Sequence, residues 1–168
     1  MSTRSQICFQ VRWKNEKGKE HKERRTVYRH SDGYPEGVLP DLREFLRWNR
    51  GRNTDVEYMA ANFIYWSKRM QEELYWKPKG TVGKEEWATD KERSKWSDCG
   101  STGCSTLHTG FGVCNNDEFH GDIEYYYIVD VLMKDQKTKI TINAYDTWSK
   151  TMKDIKPIET VDVELDEE

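Results

Sequence analysis

Tyr28-Arg29-His30-Ser31-Asp32-Gly33-Tyr34-Pro35-Glu36-Gly37 takes the chain out of a strand, through a turn and into a helix, and the fold is laid out around that change. Asp32-Gly33 tolerates positive φ, and Pro35 keeps Tyr34 extended, because a residue before proline avoids the helical region. Upstream, Ile7, Phe9, Val11 and Trp13 alternate with Cys8, Gln10 and Arg12, the pattern of a half-buried strand. Asn15–Lys19 is a polar turn, and Arg25–His30 returns as the partner strand of an opening hairpin. Downstream, a first helix is expected from Leu39 to Arg50. Pro40 would sit in its first turn, Asp41 and Glu44 at its positive end, Arg47 and Arg50 at its negative end, and Gly51 would stop it. Thr54-Asp55-Val56-Glu57 reads as a capping box, with Thr54 and Glu57 satisfying each other's free amides. Val56, Met59, Ala60, Phe63, Met70 and Leu74 then recur at helical spacing through about Trp76.

Residues 77–108 change character: Lys77-Pro78-Lys79-Gly80 breaks the helix, and a charged, then small and polar, stretch follows as a surface excursion, with a short helix expected at Lys84–Trp96. Strand patterning resumes at Gly110–Val113. In Ile123–Leu132 both faces are apolar, which marks a central strand. Ile140, Ile142 and Ala144 alternate in the next strand, and Val161, Val163 and Leu165 form an edge strand before the acidic tail Asp166-Glu167-Glu168. The expected fold is α+β in one domain, 1–168: a mainly antiparallel sheet, built from the opening hairpin and C-terminal strands, with two helices packed on one face.

Leu, Ile, Val and Phe make up 30 of the 168 residues, a share below the roughly 20% that, with high net charge, signals disorder. The net charge is only −3, and seven Trp and nine Tyr restore the burial area. A sequence pI near 5.9 argues against a broad nucleic-acid surface, although Lys17, Lys19, Lys22, Arg24 and Arg25 crowd into one local stretch. No apolar run approaches the ~20 residues of a membrane span and the first residues carry no signal core. Together with four cysteines, this leads to an expectation of free thiols in a reducing cytoplasm.

Three groups of residues can carry chemistry. His30, Asp32 and Glu36, with His120, Asp122 and Glu124, form a histidine–carboxylate set able to orient protons or hold a divalent ion, if the fold brings the two motifs together. Their other reading is structural: Asp32 closes a turn, His30 caps a hydrogen-bond network and Glu124 faces solvent. Cys99, Cys104, His108 and Cys114 have the donor types of a tetrahedral zinc site, but not its usual two-residue cysteine spacing. The other reading of these is a strand thiol at Cys114 and loop thiols elsewhere. Tyr34, Tyr58, Tyr65, Trp66, Tyr75 and Trp76 exceed what one helix face buries, so a partner-binding or dimerising surface stands beside burial under the excursion.

The segments Val27–Gly37, Asn53–Asn62 and His120-Gly121-Asp122-Ile123-Glu124-Tyr125 resemble a family of small uncharacterised proteins encoded by archaea, bacteria and their viruses or integrated elements. The resemblance covers roughly residues 25–76 and 110–132 and leaves the cysteine-bearing 97–108 outside. It implies a small accessory protein of viral or mobile-element type, working in the host cytoplasm. Such a protein would act by binding a host protein or a small nucleotide, for example in counter-defence, rather than as an enzyme. Arg29, Tyr34, Glu36 and Tyr125 would then be the binding side chains, with no cofactor required. The alternative is a phosphodiester hydrolase with zinc or another divalent metal on His30, Asp32, His120, Asp122 and Glu124.

Overall fold

Alternation at the start of the chain produces β1 (Ser5–Lys14), which sends Ile7, Phe9 and Val11 into the main core and keeps Cys8, Gln10 and Arg12 on the opposite face. The structure, a computed structural model, describes residues 3–76, 110–116, 119–135, 137–147 and 156–165. The excursion at 77–108, its expected short helix and the tail 166–168 lie outside the described residues.

Asn15 closes the first hairpin. Its side-chain oxygen accepts from the backbone N–H groups of Lys17 (3.1 Å) and Lys19 (2.9 Å), and Gly18 takes a φ of 75°. The return strand β2 (Glu20–Arg29) begins five residues earlier than its apolar pattern suggests, because pairing continues to Lys14 opposite Glu20. Glu20, Lys22 and Glu23 there are exposed charges, so backbone hydrogen bonds rather than burial extend the strand.

The first helix, α1, runs Pro35–Trp48 and corrects the expected start at Leu39. Pro35 takes the first helical position, where its missing N–H costs nothing, and Tyr34 is the extended residue before it. Pro40 therefore lies inside the helix rather than at its entry. Val38, Leu39, Leu42, Phe45 and Leu46 form the buried stripe, and that burial offsets the amide bond Pro40 cannot make. The helix α2 (Val56–Trp76) ends where periodicity placed it, but its cap differs from the expected Thr54–Glu57 box. Asp55 accepts from the N–H groups of Glu57 (3.1 Å) and Tyr58 (3.2 Å). Glu57 meanwhile turns to Arg25 of β2. A carboxylate is the stronger acceptor at the positive end of a helix, and a cation nearby draws the glutamate away.

The remaining strands are β3 (Phe111–Cys114), β4 (Tyr125–Lys134), β5 (Lys137–Asp146) and β6 (Glu159–Val163). Together they complete a six-stranded sheet in the order β3-β2-β1-β4-β5-β6. Every pairing is antiparallel except β1 with β4. The expected strand at 123–132 is central, as its two-faced pattern requires, but begins at Tyr125 and runs on to Lys134 as β4, and β6 lies at an edge. Both helices bury against one face of the sheet. There Phe9, Phe45, Phe63, Phe111 and Trp66 interlock, with Phe63 centroids 5.5 Å from Phe9, 5.1 Å from Phe45 and 6.0 Å from Phe111. Trp66, expected among the exposed aromatics, belongs to this core. Among the described residues, no helix is long and apolar enough to cross a membrane.

The parallel pairing has a consequence for the two histidine motifs. The start of β1, the end of β2 and the start of β4 all lie at the same end of the sheet, and the segment before β1 fastens both motifs there. Thr3 O accepts from Gly33 N (2.9 Å), and Arg4 O accepts from Glu124 N (2.9 Å).

Candidate functional site

Tyr28 joins the two motifs. Its ring lies 6.1 Å from His30 and 4.7 Å from His120, centroid to centroid. The Tyr28 hydroxyl is 3.4 Å from His30 Nδ1 and donates to Asp122 Oδ2 at 3.4 Å, while Arg4 pairs with the same Asp122 oxygen at 3.2 Å. Burial, then the neighbouring Asp122 charge, pushes the Tyr28 hydroxyl above its ordinary pKa, so it stays a proton donor. The backbone N–H of His120 donates to the buried Gln6 side chain (3.3 Å). The arrangement is thus a histidine–tyrosine–histidine group with its carboxylate balanced by an arginine. It can hydrogen-bond and stack. Among the described residues, no three His, Cys, Asp or Glu side chains are grouped as metal ligands.

Much of the opening motif does structural work. Asp32 takes a φ of 53°, which aspartate tolerates better than most residues. Gly33 has no room for a side chain: a Cβ there would lie 2.8 Å from Ser5 Oγ and 2.9 Å from the Arg4 backbone carbon. Its carbonyl accepts from the Tyr127 hydroxyl (2.8 Å), which burial holds protonated. Arg29 lies under the motif. Its Nε donates to Ser31 O (2.8 Å), its Nη1 to Asp41 Oδ2 (2.7 Å), and its guanidinium sits 5.8 Å from the Phe111 ring centre. With its side chain only 7% exposed, Arg29 ties β2 to α1. Tyr125 packs against the main core, whereas Tyr34, Asp32 and Glu36 are exposed. Of the thiol set, Cys99, Cys104 and His108 lie outside the described residues. Cys114 is a half-buried free thiol on β3, and burial pushes its pKa up.

The sequence reading overlooked a second polar feature, on the sheet face away from the helices. Gln10, Arg12, Glu20, Lys22, Ile128, Asp130, Asn143 and Tyr145 line a groove of about 570 Å³. Parallel register sets Gln10 beside Asp130 across β1 and β4. Asp130 accepts from Gln10 Nε2 (2.8 Å) and from Arg12 Nε (2.8 Å), with a second bond to Arg12 Nη2. Glu20 lies 3.5 Å from Arg12 Nη1. A signal for this groove did exist: Asp130 is the only formally charged residue in the run Tyr125–Leu132. A lone carboxylate in a central strand needs a partner, and Arg12 sits at the matching alternation of β1.

Burial alone would raise the Asp130 carboxyl, but the hydrogen bonds from Arg12 and Gln10, with the Arg12 charge, outweigh it and hold the group below the usual range. Its contribution to stability is therefore present above the unfolded carboxylate pKa of ~3.9 and is lost as pH falls through the lower folded value. Urea titrations over a pH series should show Asp130→Asn less stable than the wild type by a constant margin between about pH 6 and 8. The margin should shrink below about pH 4. A margin that grew on acidification would contradict this account of the groove.

No family model, curated protein or solved structure matches the chain.

Proposed function

We propose that this protein acts by binding rather than by catalysis, and that its ligand is a small nucleotide held in the groove on the sheet face away from the helices. The observation that carries the reading is the make-up of that groove: a tyrosine ring as one wall, carboxamides beside it, and an arginine whose rotamer is fixed before any ligand arrives. Tyr145 offers a face on which a base can stack. Asn143 and Gln10 have the donors and acceptors that a base edge or ribose needs. Lys22 at the rim is an exposed point charge for a phosphate. The two carboxylates balance Arg12 and Lys22, which favours a ligand of low charge, such as a mononucleotide or cyclic dinucleotide, over a polyphosphate. A volume near 570 Å³ lies within the usual range for small-molecule sites.

The resemblance of the two histidine motifs to small proteins of archaea, bacteria and their viruses supports a setting for this activity. That setting is an accessory protein of a virus or mobile element that sequesters a host nucleotide signal. The hydrolase alternative gains less support. Asp122 is already paired with Arg4, and Asp32 is an exposed turn residue of positive φ.

Calorimetric titration with adenosine and guanosine monophosphates and with cyclic dinucleotides tests the proposal. One of them should bind with 1:1 stoichiometry. Tyr145→Ala should weaken it about tenfold, the magnitude expected of one lost base–aromatic stack. Equal binding by Tyr145→Ala, or no heat with any nucleotide at millimolar concentration, would overturn it. Release of a cleaved product would restore the enzyme reading.

A further inference from the structure

On the far side of the molecule the two helices meet at a short basic turn, Arg50-Gly51-Arg52, which forms one turn of 3-10 helix and is exposed. Beneath it lies a chain of three carboxamides. Asn49 Nδ2 donates to Asn53 Oδ1 (2.9 Å), Asn53 Nδ2 to Leu46 O (2.8 Å), and Asn62 Nδ2 to Asn49 Oδ1 (2.8 Å). Asn49 and Asn53 are buried. A buried, bonded amide network of this kind fixes the turn's shape, so the arginines are presented from a rigid base.

Exposed aromatics flank the turn. Trp48 is 53% exposed, Tyr58 48% and Tyr65 55%, the highest exposures of aromatic side chains among the described residues. Tyr58 and Tyr65 are seven residues apart on α2 and share its outer face. The Trp48 ring is 6.5 Å from Tyr65, Arg52 covers Tyr58 at 4.4 Å, and Arg69 Nη1 donates to the Tyr65 hydroxyl (3.1 Å). Three rings and two guanidinium groups therefore lie along roughly 16 Å of helix, with Arg52 against Tyr58 at one end and Arg69 against Tyr65 at the other. Arg43 and Arg47 are exposed on the outer side of α1, and Lys68 is on α2. Of the acids on these helices, Glu57 is paired with Arg25, Asp55 caps α2, and Glu44 is exposed on α1.

We infer that this stripe docks single-stranded nucleic acid. Aromatic faces take unstacked bases of any identity, and the flanking arginines take the neighbouring phosphates. Rings flanked by guanidinium groups along one helix face offer a single strand both kinds of contact. The overall net charge of −3 does not oppose such a site. Screening limits electrostatic reach to about 10 Å at ordinary ionic strength, so the local sign decides.

Fluorescence anisotropy of a labelled 12-nucleotide single-stranded DNA of mixed sequence, with an RNA of the same sequence in parallel, tests the inference on the full-length protein. Binding to at least one strand should weaken steeply with salt. Trp48→Ala and Arg47→Gln, with a thermal melt to show that both variants remain folded, should each weaken it about tenfold. Tyr145→Ala, in the groove on the other face, should bind normally. Absence of binding to both strands at low salt, or unchanged affinity in both stripe variants, would overturn the inference. So would displacement of the strand by a polyglutamate peptide of equal charge at equal concentration, which would make the surface a site for acidic proteins.

Discussion

Replacing Phe63 by alanine should lower the unfolding free energy by about 3–5 kcal/mol, the range for a buried phenylalanine that leaves a cavity its neighbours only partly fill. Phe63 has no solvent exposure and lies against Phe9 of β1, Phe45 of α1 and Phe111 of β3. It therefore joins α2 to three other elements at once. Its three neighbours are rings set on separate strands and a second helix, so their collapse into the space would need several elements to move together. The measurement is urea unfolding followed by circular dichroism, with the midpoint falling and the slope unchanged. In a thermal melt the same loss should move the transition down by roughly 10 °C. A change below about 1 kcal/mol would mean that α2 is not anchored through this residue.

The second large effect is expected at Asp41. Asp41→Ala should cost about 3 kcal/mol, because it leaves the nearly buried Arg29 guanidinium without its counter-charge. The lower end of the range for a broken buried pair applies, since Asp41 itself is 39% exposed and water can partly take its place. The double variant Arg29→Met with Asp41→Ala should recover at least about 1 kcal/mol of this, for then no buried charge is left unpaired. These two measurements separate the roles open to Arg29. If the arginine were held ready for a ligand instead of bracing β2 against α1, the single variant would cost little and the double would be the worse of the two.

Local patterns were legible wherever one physical signal dominated. The alternation of Ile7, Phe9 and Val11 gave β1, the helical recurrence from Val56 gave α2, and the two-faced apolar run ending at Leu132 gave a central strand. Errors arose where two signals competed. Pro35 and Pro40 both suit a helix start, and the choice fell to Pro35 because burial of Val38 and Leu39 draws the first turn into the core. Thr54 and Asp55 both suit a cap, and Glu57 could not complete the Thr54 box once Arg25 lay within reach. Arg25 is remote in sequence, so no local pattern announced it.

The sequence by itself determined the α+β class, the hairpin, the two helices and the residue types at each motif, because these depend on periodicity, turn chemistry and proline within a few residues of one another. It also showed that the Tyr28–Gly37 segment turns a strand into a helix. What that segment does beyond this was decided by tertiary structure. Pairing β1 parallel with β4 and antiparallel with β2 brings His30 and His120 to either side of Tyr28, although ninety residues separate them. The same register sets Asp130 beside Gln10 and Arg12 and so makes the groove. Strand order is fixed by which faces can be buried together over the whole chain, and that long-range condition leaves no trace in any ten residues.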